Sequence, residues 1–160
     1  NARVWRLGAD VDTDALAPGA YMKHGLEVIG WHCLEAVRAD FASGVREGDV
    51  LVAGANFGIG SSREQAAGVL RHLGLAAVIA PSYSGLYFRN AFNLGLLLLT
   101  CPEADRIEEG EQLALRFEGD TPQVLRANGQ VLPCAPIPDF LMDMVDAGGL
   151  LPLLKNRKQG

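Results

Sequence analysis

Cysteine is scarce in this sequence. Cys33, Cys101 and Cys134 are the only three in 160 residues. None neighbours another, so no zinc-knuckle or cluster-binding spacing is present. An odd, sparse count without a signal peptide fits a reducing cytoplasm, the expected location. Histidine is equally thin: His24, His32 and His72 are scattered, and any metal would need ligands from elsewhere. No basic run occurs and the formal charge is -5, which argues against nucleic acid as a partner. The most apolar run, "GLLLLT" at 95–100, is far too short to span a bilayer. Internal repeats and linkers are also lacking, so residues 1–160 read as one domain.

What is present is regular over the middle of the chain. "RVWRL" (3–7) reads as a first strand, followed by a long loop, "GADVDTDALAPGAYMKHG" (8–25), with room for a helical turn. Loops of that length in compact domains are usually functional or mobile. Residues 27–41 are expected to be helical in their second half. "DVLVAGA" (49–55), "LAAVIAP" (75–81) and "LLLLT" (96–100) are apolar runs of strand length. Between them, Ala66, Val69, Leu70 and Leu73 repeat at helical spacing within 61–73. Gly74 sits where a helix C′ glycine belongs. Residues 83–95 read as a further helix ended by Gly95. Alternation of strand and helix implies parallel strands. Beyond Pro102 the pattern changes to alternating segments at 111–119 and 122–133 with an "NG" turn at 128–129, which predicts antiparallel hairpins. An amphipathic helix is expected over 137–154, ending at Gly148 and Gly149. The fold class is therefore α/β, with a parallel β-α-β core and additional antiparallel strands.

The junction "GANFGIGSSREQAAGVL" (54–70) carries the chemistry. Ser61 and Glu64 have the S-x-x-E spacing of a capping box, with Gly58 and Gly60 making the turn. That accounts for neither Ser62 nor Arg63, because a cation in the first helical turn opposes the helix dipole. The alternative is an anion site, where a helix start after a buried strand offers free amides and Arg63 adds a planar fork for a carboxylate. Neither G-x-G-x-x-G nor G-K-[ST] is completed here, so a small carboxylate is preferred over a nucleotide.

This stretch, with "DVDTDALAPGAYMK" upstream and "YFRNAFNLGLLLL" downstream, resembles the small subunit of isopropylmalate isomerase and, more broadly, the mobile domain of the aconitase superfamily. The resemblance spans about residues 3–154. It departs at Ile59, where many relatives have cysteine, and at Gln65, where histidine is common. It implies a swivelling β/β/α domain and a hydro-lyase of leucine biosynthesis that dehydrates and rehydrates a hydroxy di- or tricarboxylate. It also implies a large-subunit partner carrying a four-iron four-sulfur cluster, with no metal or cofactor bound by this chain.

By the same match Ser61 is the base that removes the proton alpha to a carboxylate. Asp14 orients active-site groups, its alternative being an Asx turn or helix cap; Thr13 is a weaker match. Arg63 binds a substrate carboxylate and Ser62 assists. Tyr21 and Met22 would meet an isopropyl group, with plain packing as the alternative reading. Lys23 or His24 would instead hold a third carboxylate, favouring homoaconitate; a methylated malate is a further option. Asn90, Asn93 and Gly95 read as structural, the asparagines capping backbone groups at a helix end. The rival classes are a carboxylate-binding module without chemistry and a self-contained serine hydrolase. The hydrolase lacks a G-x-S-x-G elbow.

Overall fold

Short apolar segments form the strands of a single seven-stranded sheet. The computed structural model describes residues 1–149. The strands are β1 (Ala2–Arg6), β2 (Val50–Val52), β3 (Ala77–Ala80), β4 (Leu98–Thr100), β5 (Gln112–Glu118), β6 (Thr121–Leu125) and β7 (Val131–Pro133). Their order is β4-β3-β2-β1-β5-β6-β7. The first four are parallel, with Val4 opposite Val50, Val50 opposite Ala77 and Val78 opposite Leu98. From β1 outward the other side is antiparallel, Ala2 facing Leu113 and Leu115 facing Val124. The mixed α/β architecture and its division agree with the sequence patterns. β2 and β3 are buried along their whole length, as parallel strands covered on both faces must be.

Six helices are described: α1 (Thr13–Leu16), α2 (Leu26–Trp31), α3 (Phe41–Gly44), α4 (Gln65–His72), α5 (Gly85–Asn93) and α6 (Asp139–Ala147). α4 buries Ala66, Ala67, Val69 and Leu70 and ends before Gly74, whose φ of 84° is the left-handed closure expected there. Asn128 and Gly129 turn the β6–β7 hairpin, Gly129 at φ 90°, with the Gln130 amide donating to Asn128 Oδ1 at 2.9 Å. α6 closes at Gly148; positions 150–154 of the expected helix lie outside the described residues. No helix among the described residues is long and apolar enough to cross a membrane.

Two local expectations are corrected. Within 27–41 the helix occupies the first half, and residues 32–37 turn. Leu34 is the cause: it is fully buried, its φ is 61°, and its amide donates to the Ala15 carbonyl at 2.8 Å. Burying that side chain against the α1 segment outweighs local helix propensity. At the junction α4 starts at Gln65, with Glu64 preceding it and no side-chain cap. The Ser61–Glu64 capping box is not formed.

Candidate active site

The junction is built from two loops leaving the C-terminal ends of neighbouring parallel strands, the usual location of sites in such sheets. The loop after β1 runs beside the loop after β2. The Gly58 amide donates to Val11 O at 2.7 Å, and the Thr13 amide to Ile59 O at 2.8 Å. Glycine is required twice. At Gly58 (φ 84°) a Cβ would lie 2.2 Å from the Tyr87 ring. At Gly60 (φ 109°) it would lie 2.9 Å from Thr13 Oγ1. This close approach sets the buried Thr13 beneath Ser61, their hydroxyl oxygens 3.4 Å apart. Ser61 and Ser62 are exposed. With the capping box absent, the Ser61 oxygen is not committed to the helix.

Arg63 turns away from α4 and is held by the first loop. Its Nη1 donates to Asp14 Oδ1 at 2.7 Å and to the Ala17 carbonyl at 3.0 Å. Asp14 also accepts from the Gly19 amide at 3.0 Å. The Arg63 hydrogen bond, and then the Gly19 amide, hold the Asp14 carboxyl below its ordinary range. The cap of α1 is made instead by Asp12, which accepts from the Ala15 amide at 2.7 Å. Asp14 is thereby released from the capping alternative and acts on the guanidinium. Among the described residues the side-chain hydrogen bonds of Arg63 use Nη1 alone. Nε and Nη2 keep donors for an incoming carboxylate.

Gly19–Tyr21 form a 3-10 turn against this clamp, a Gly19 Cβ position lying 3.6 Å from Arg63 Nη2. Tyr21 and Met22 pack partly into the core. Lys23 and His24 are exposed and make no ion pair among the described residues. A depression of about 210 Å³ lies beside the start of α4, lined by Leu26, Glu64, Gln65, Gly68 and Leu94. Ser61, Ser62 and Arg63 lie outside its lining. Asn90 meets the end of α5 through its carbonyl, which accepts from the Leu94 amide, and no side-chain cap from Asn90 or Asn93 replaces it. Gly95 has φ 82° and leaves no space for a Cβ against Gly148.

Residues 34–104 match the family model described as the aconitase C-terminal domain. The 3-isopropylmalate dehydratase small subunit 1 of Archaeoglobus fulgidus is 41% identical over 158 residues, covering 98% of each chain. The methanogen homoaconitase small subunit of Methanothermobacter thermautotrophicus is 40% identical over 151 residues, 93% of this chain and 86% of that one. The crystal structure of a 3-isopropylmalate dehydratase from Methanocaldococcus jannaschii superposes with a TM-score of 0.91 at 36% identity, covering 99% of this chain and 94% of that one. The chain belongs to the 3-isopropylmalate dehydratase small-subunit family. In this family member Thr13, Asp14, Ser61 and Arg63 are brought together where the loops after β1 and β2 meet.

The donor set of this family member does not suit a metal centre of its own. Cys33, Cys101 and Cys134 are all buried, burial pushing the Cys33 thiol well up. The described residues contain no group of three or more His, Cys, Asp or Glu arranged to hold a metal ion. No chemical step is therefore assigned to a cluster on this chain. Three features escaped the sequence reading: the Ala17 carbonyl, an Asp10–Asn56 clasp with Asn56 Nδ2 donating to Asp10 Oδ1 at 2.9 Å, and a His32–Glu35 pair. The H-x-x-E spacing was the available signal for the pair; a backbone carbonyl offers none.

Proposed function

We propose that this chain is the small subunit of a 3-isopropylmalate dehydratase, a single swivelling domain that works in the cytoplasm against a large subunit carrying a four-iron four-sulfur cluster. The observation that carries the reading is the Arg63 clamp. Asp14 and Ala17 hold Nη1 of the guanidinium, no side-chain hydrogen bond among the described residues uses Nε or Nη2, and Ser61 two residues before it is exposed. In this reading Arg63 takes a substrate carboxylate through paired N–H donors, with Ser62 beside it. Ser61 removes the proton from the carbon next to a carboxylate. The C–H electron pair becomes the new π bond as the hydroxyl leaves the neighbouring carbon, and rehydration returns hydroxyl to the other carbon. An alkoxide at Ser61 needs a positive field, to which Arg63 would contribute and which the large subunit must complete. A cluster on the large subunit would supply Lewis acidity for the leaving hydroxyl, and the small subunit's part is positioning and proton transfer.

Tyr21 and Met22 form the apolar side of the recognition turn, which favours an isopropyl group. Exposed Lys23 and His24 keep homoaconitate and dimethylmalate on the test panel. An ammonium at Lys23 is a poorer match than a guanidinium for a third carboxylate. The decisive experiment is anaerobic reconstitution with the large subunit, followed by turnover of isopropylmalate, homoaconitate, citraconate and dimethylmalate. Turnover of isopropylmalate by the complex, and none by the small subunit alone, supports the reading. Tight calorimetric binding of a malate analogue to the isolated chain, with no turnover in the complex, makes it a binding module instead.

A further inference from the structure

The Tyr21 ring has an aromatic neighbour besides the core it packs against. It lies flat on the His32 imidazole, ring centroids 3.7 Å apart and planes within 6°. His32 is in turn fixed by Glu35, whose Oε2 is 2.7 Å from His32 Nδ1. The carboxylate makes Nδ1 the protonated nitrogen and so sets the plane of the ring. His32 immediately follows α2, and Glu35 belongs to the turn that Leu34 anchors in the core. The rigid part of the domain therefore reaches out through Glu35 and His32 to the tyrosine of the 19–24 turn. At its other end that loop is tied to the Arg63 clamp through Gly19. The Met22 amide bonds Gly19 O at 3.3 Å, and the His24 amide bonds Tyr21 O at 2.9 Å. One side of the turn is thus held by the carboxylate-binding arginine and the other by an aromatic stack.

We propose that His32, oriented by Glu35, is a positioning residue for substrate selection. It backs the Tyr21 ring and holds the 19–24 turn in the arrangement that meets the variable group of the substrate. This rests on the reading of that turn as the recognition loop. A brace of this kind acts on the fraction of molecules whose loop is competent to bind, and loss of that fraction raises the apparent dissociation constant in proportion. The proton transfer at Ser61 is left alone. The signature is a KM effect with little change in kcat, larger for substrates whose variable group contacts the turn.

The test uses the reconstituted two-subunit complex with isopropylmalate and dimethylmalate as paired substrates. From the worth of one aromatic stack, His32→Ala is expected to raise KM for isopropylmalate roughly 3- to 10-fold. It should also lower the preference for isopropylmalate over dimethylmalate, with kcat and Tm little changed. His32→Phe, which keeps a ring under Tyr21 but has no donor for Glu35, should recover most of the loss. Glu35→Gln should fall between. An unchanged KM in His32→Ala, or a matched fall in kcat and Tm that His32→Phe does not rescue, overturns the brace. Tyr21→Ala separates the two levels. If it leaves the preference untouched, the recognition-loop reading fails and the brace with it. If it abolishes the preference while His32→Ala does not, the brace alone fails.

Discussion

In the parallel half of the sheet every residue of β2 and β3 is buried, whereas β5, in the antiparallel half, exposes Gln112, Arg116, Phe117 and Glu118. β2, β3 and β4 carry no charged residue along their length, so polar groups appear there only where the strands end. There the loops after β1 and β2 exchange backbone hydrogen bonds and bring Thr13, Asp14, Ser61 and Arg63 together. In the second half Arg116 and Glu118 sit along β5, and just beyond the strand ends Arg126 pairs with Glu111 at 2.9 Å. In the proposed reading one half places its reactive groups where strands end, and the other uses ion pairs for local order. Activity and stability should therefore respond to different substitutions.

The largest expected effect is at Ser61. In the reconstituted complex Ser61→Ala should lower kcat about 10²- to 10⁴-fold, the usual worth of a positioned proton-transfer group. Its Tm should stay at the wild-type value, because the side chain is exposed and its one polar neighbour is 3.4 Å away. A complex that retains full activity without this hydroxyl removes Ser61 from the mechanism. Next comes Arg63→Lys. An ammonium can keep the Asp14 contact or meet a substrate carboxylate, but lacks the planar fork for both. From the range for hydrogen bonds to charged groups, KM should rise roughly 10- to 100-fold. Steady-state kinetics with an unchanged KM would move the carboxylate site elsewhere.

Much of this contrast was legible in the residues, and unevenly so. The strand runs at 49–55, 75–81 and 96–100, the helical spacing of Ala66, Val69 and Leu70, and the Asn128–Gly129 turn all reappear in the fold. Each is a local pattern whose period matches its structure. The failures were tertiary. Leu34 breaks the helical reading because its burial is decided by α1, nineteen residues upstream at Ala15. The Ser61–Glu64 box fails because Gly60 passes close to Thr13 and the Arg63 amide bonds back to the Ser61 carbonyl at 2.9 Å, so the helix begins only after Glu64. At the site, the types Ser61, Arg63 and Asp14 were readable. That Asp14 grips Arg63 across 49 positions, and that Asp12 takes the cap, depends on loop packing that no spacing encodes.

A smaller effect tests the antiparallel side. Arg126→Met leaves Glu111, whose side chain is only 11% exposed, without its cation. A largely buried carboxylate left unpaired destabilises the fold, so Tm should fall. Turnover by the folded complex should stay within about twofold of wild type, since distant sites act independently. A proportionate loss of kcat at temperatures well below Tm would mean that the two halves are coupled, and that the edge at Ser61 depends on the hairpins.

The smallest effect sharpens the comparison through acid. Arg63 holds Asp14 below its ordinary range at the site. Arg38 does the same for Glu109 and Arg126 for Glu111. A carboxylate whose folded value is depressed contributes stability that is fully present above the unfolded value, near pH 4. That contribution is lost as pH falls through the lower folded value. Tm measured from neutral pH down should therefore hold until about pH 4 and then decline. The groups should not share the decline equally. Asp14 is two-thirds exposed, at 67%, and Glu111 only 11%, so solvent screens the first pair far more than the second. Glu111→Gln should flatten the acid limb visibly and leave KM alone, whereas Asp14→Asn should barely alter the limb and raise KM by loosening Arg63. Were the two substitutions to exchange these signatures, Asp14 would be a structural carboxylate and the site would have to be sought away from Arg63.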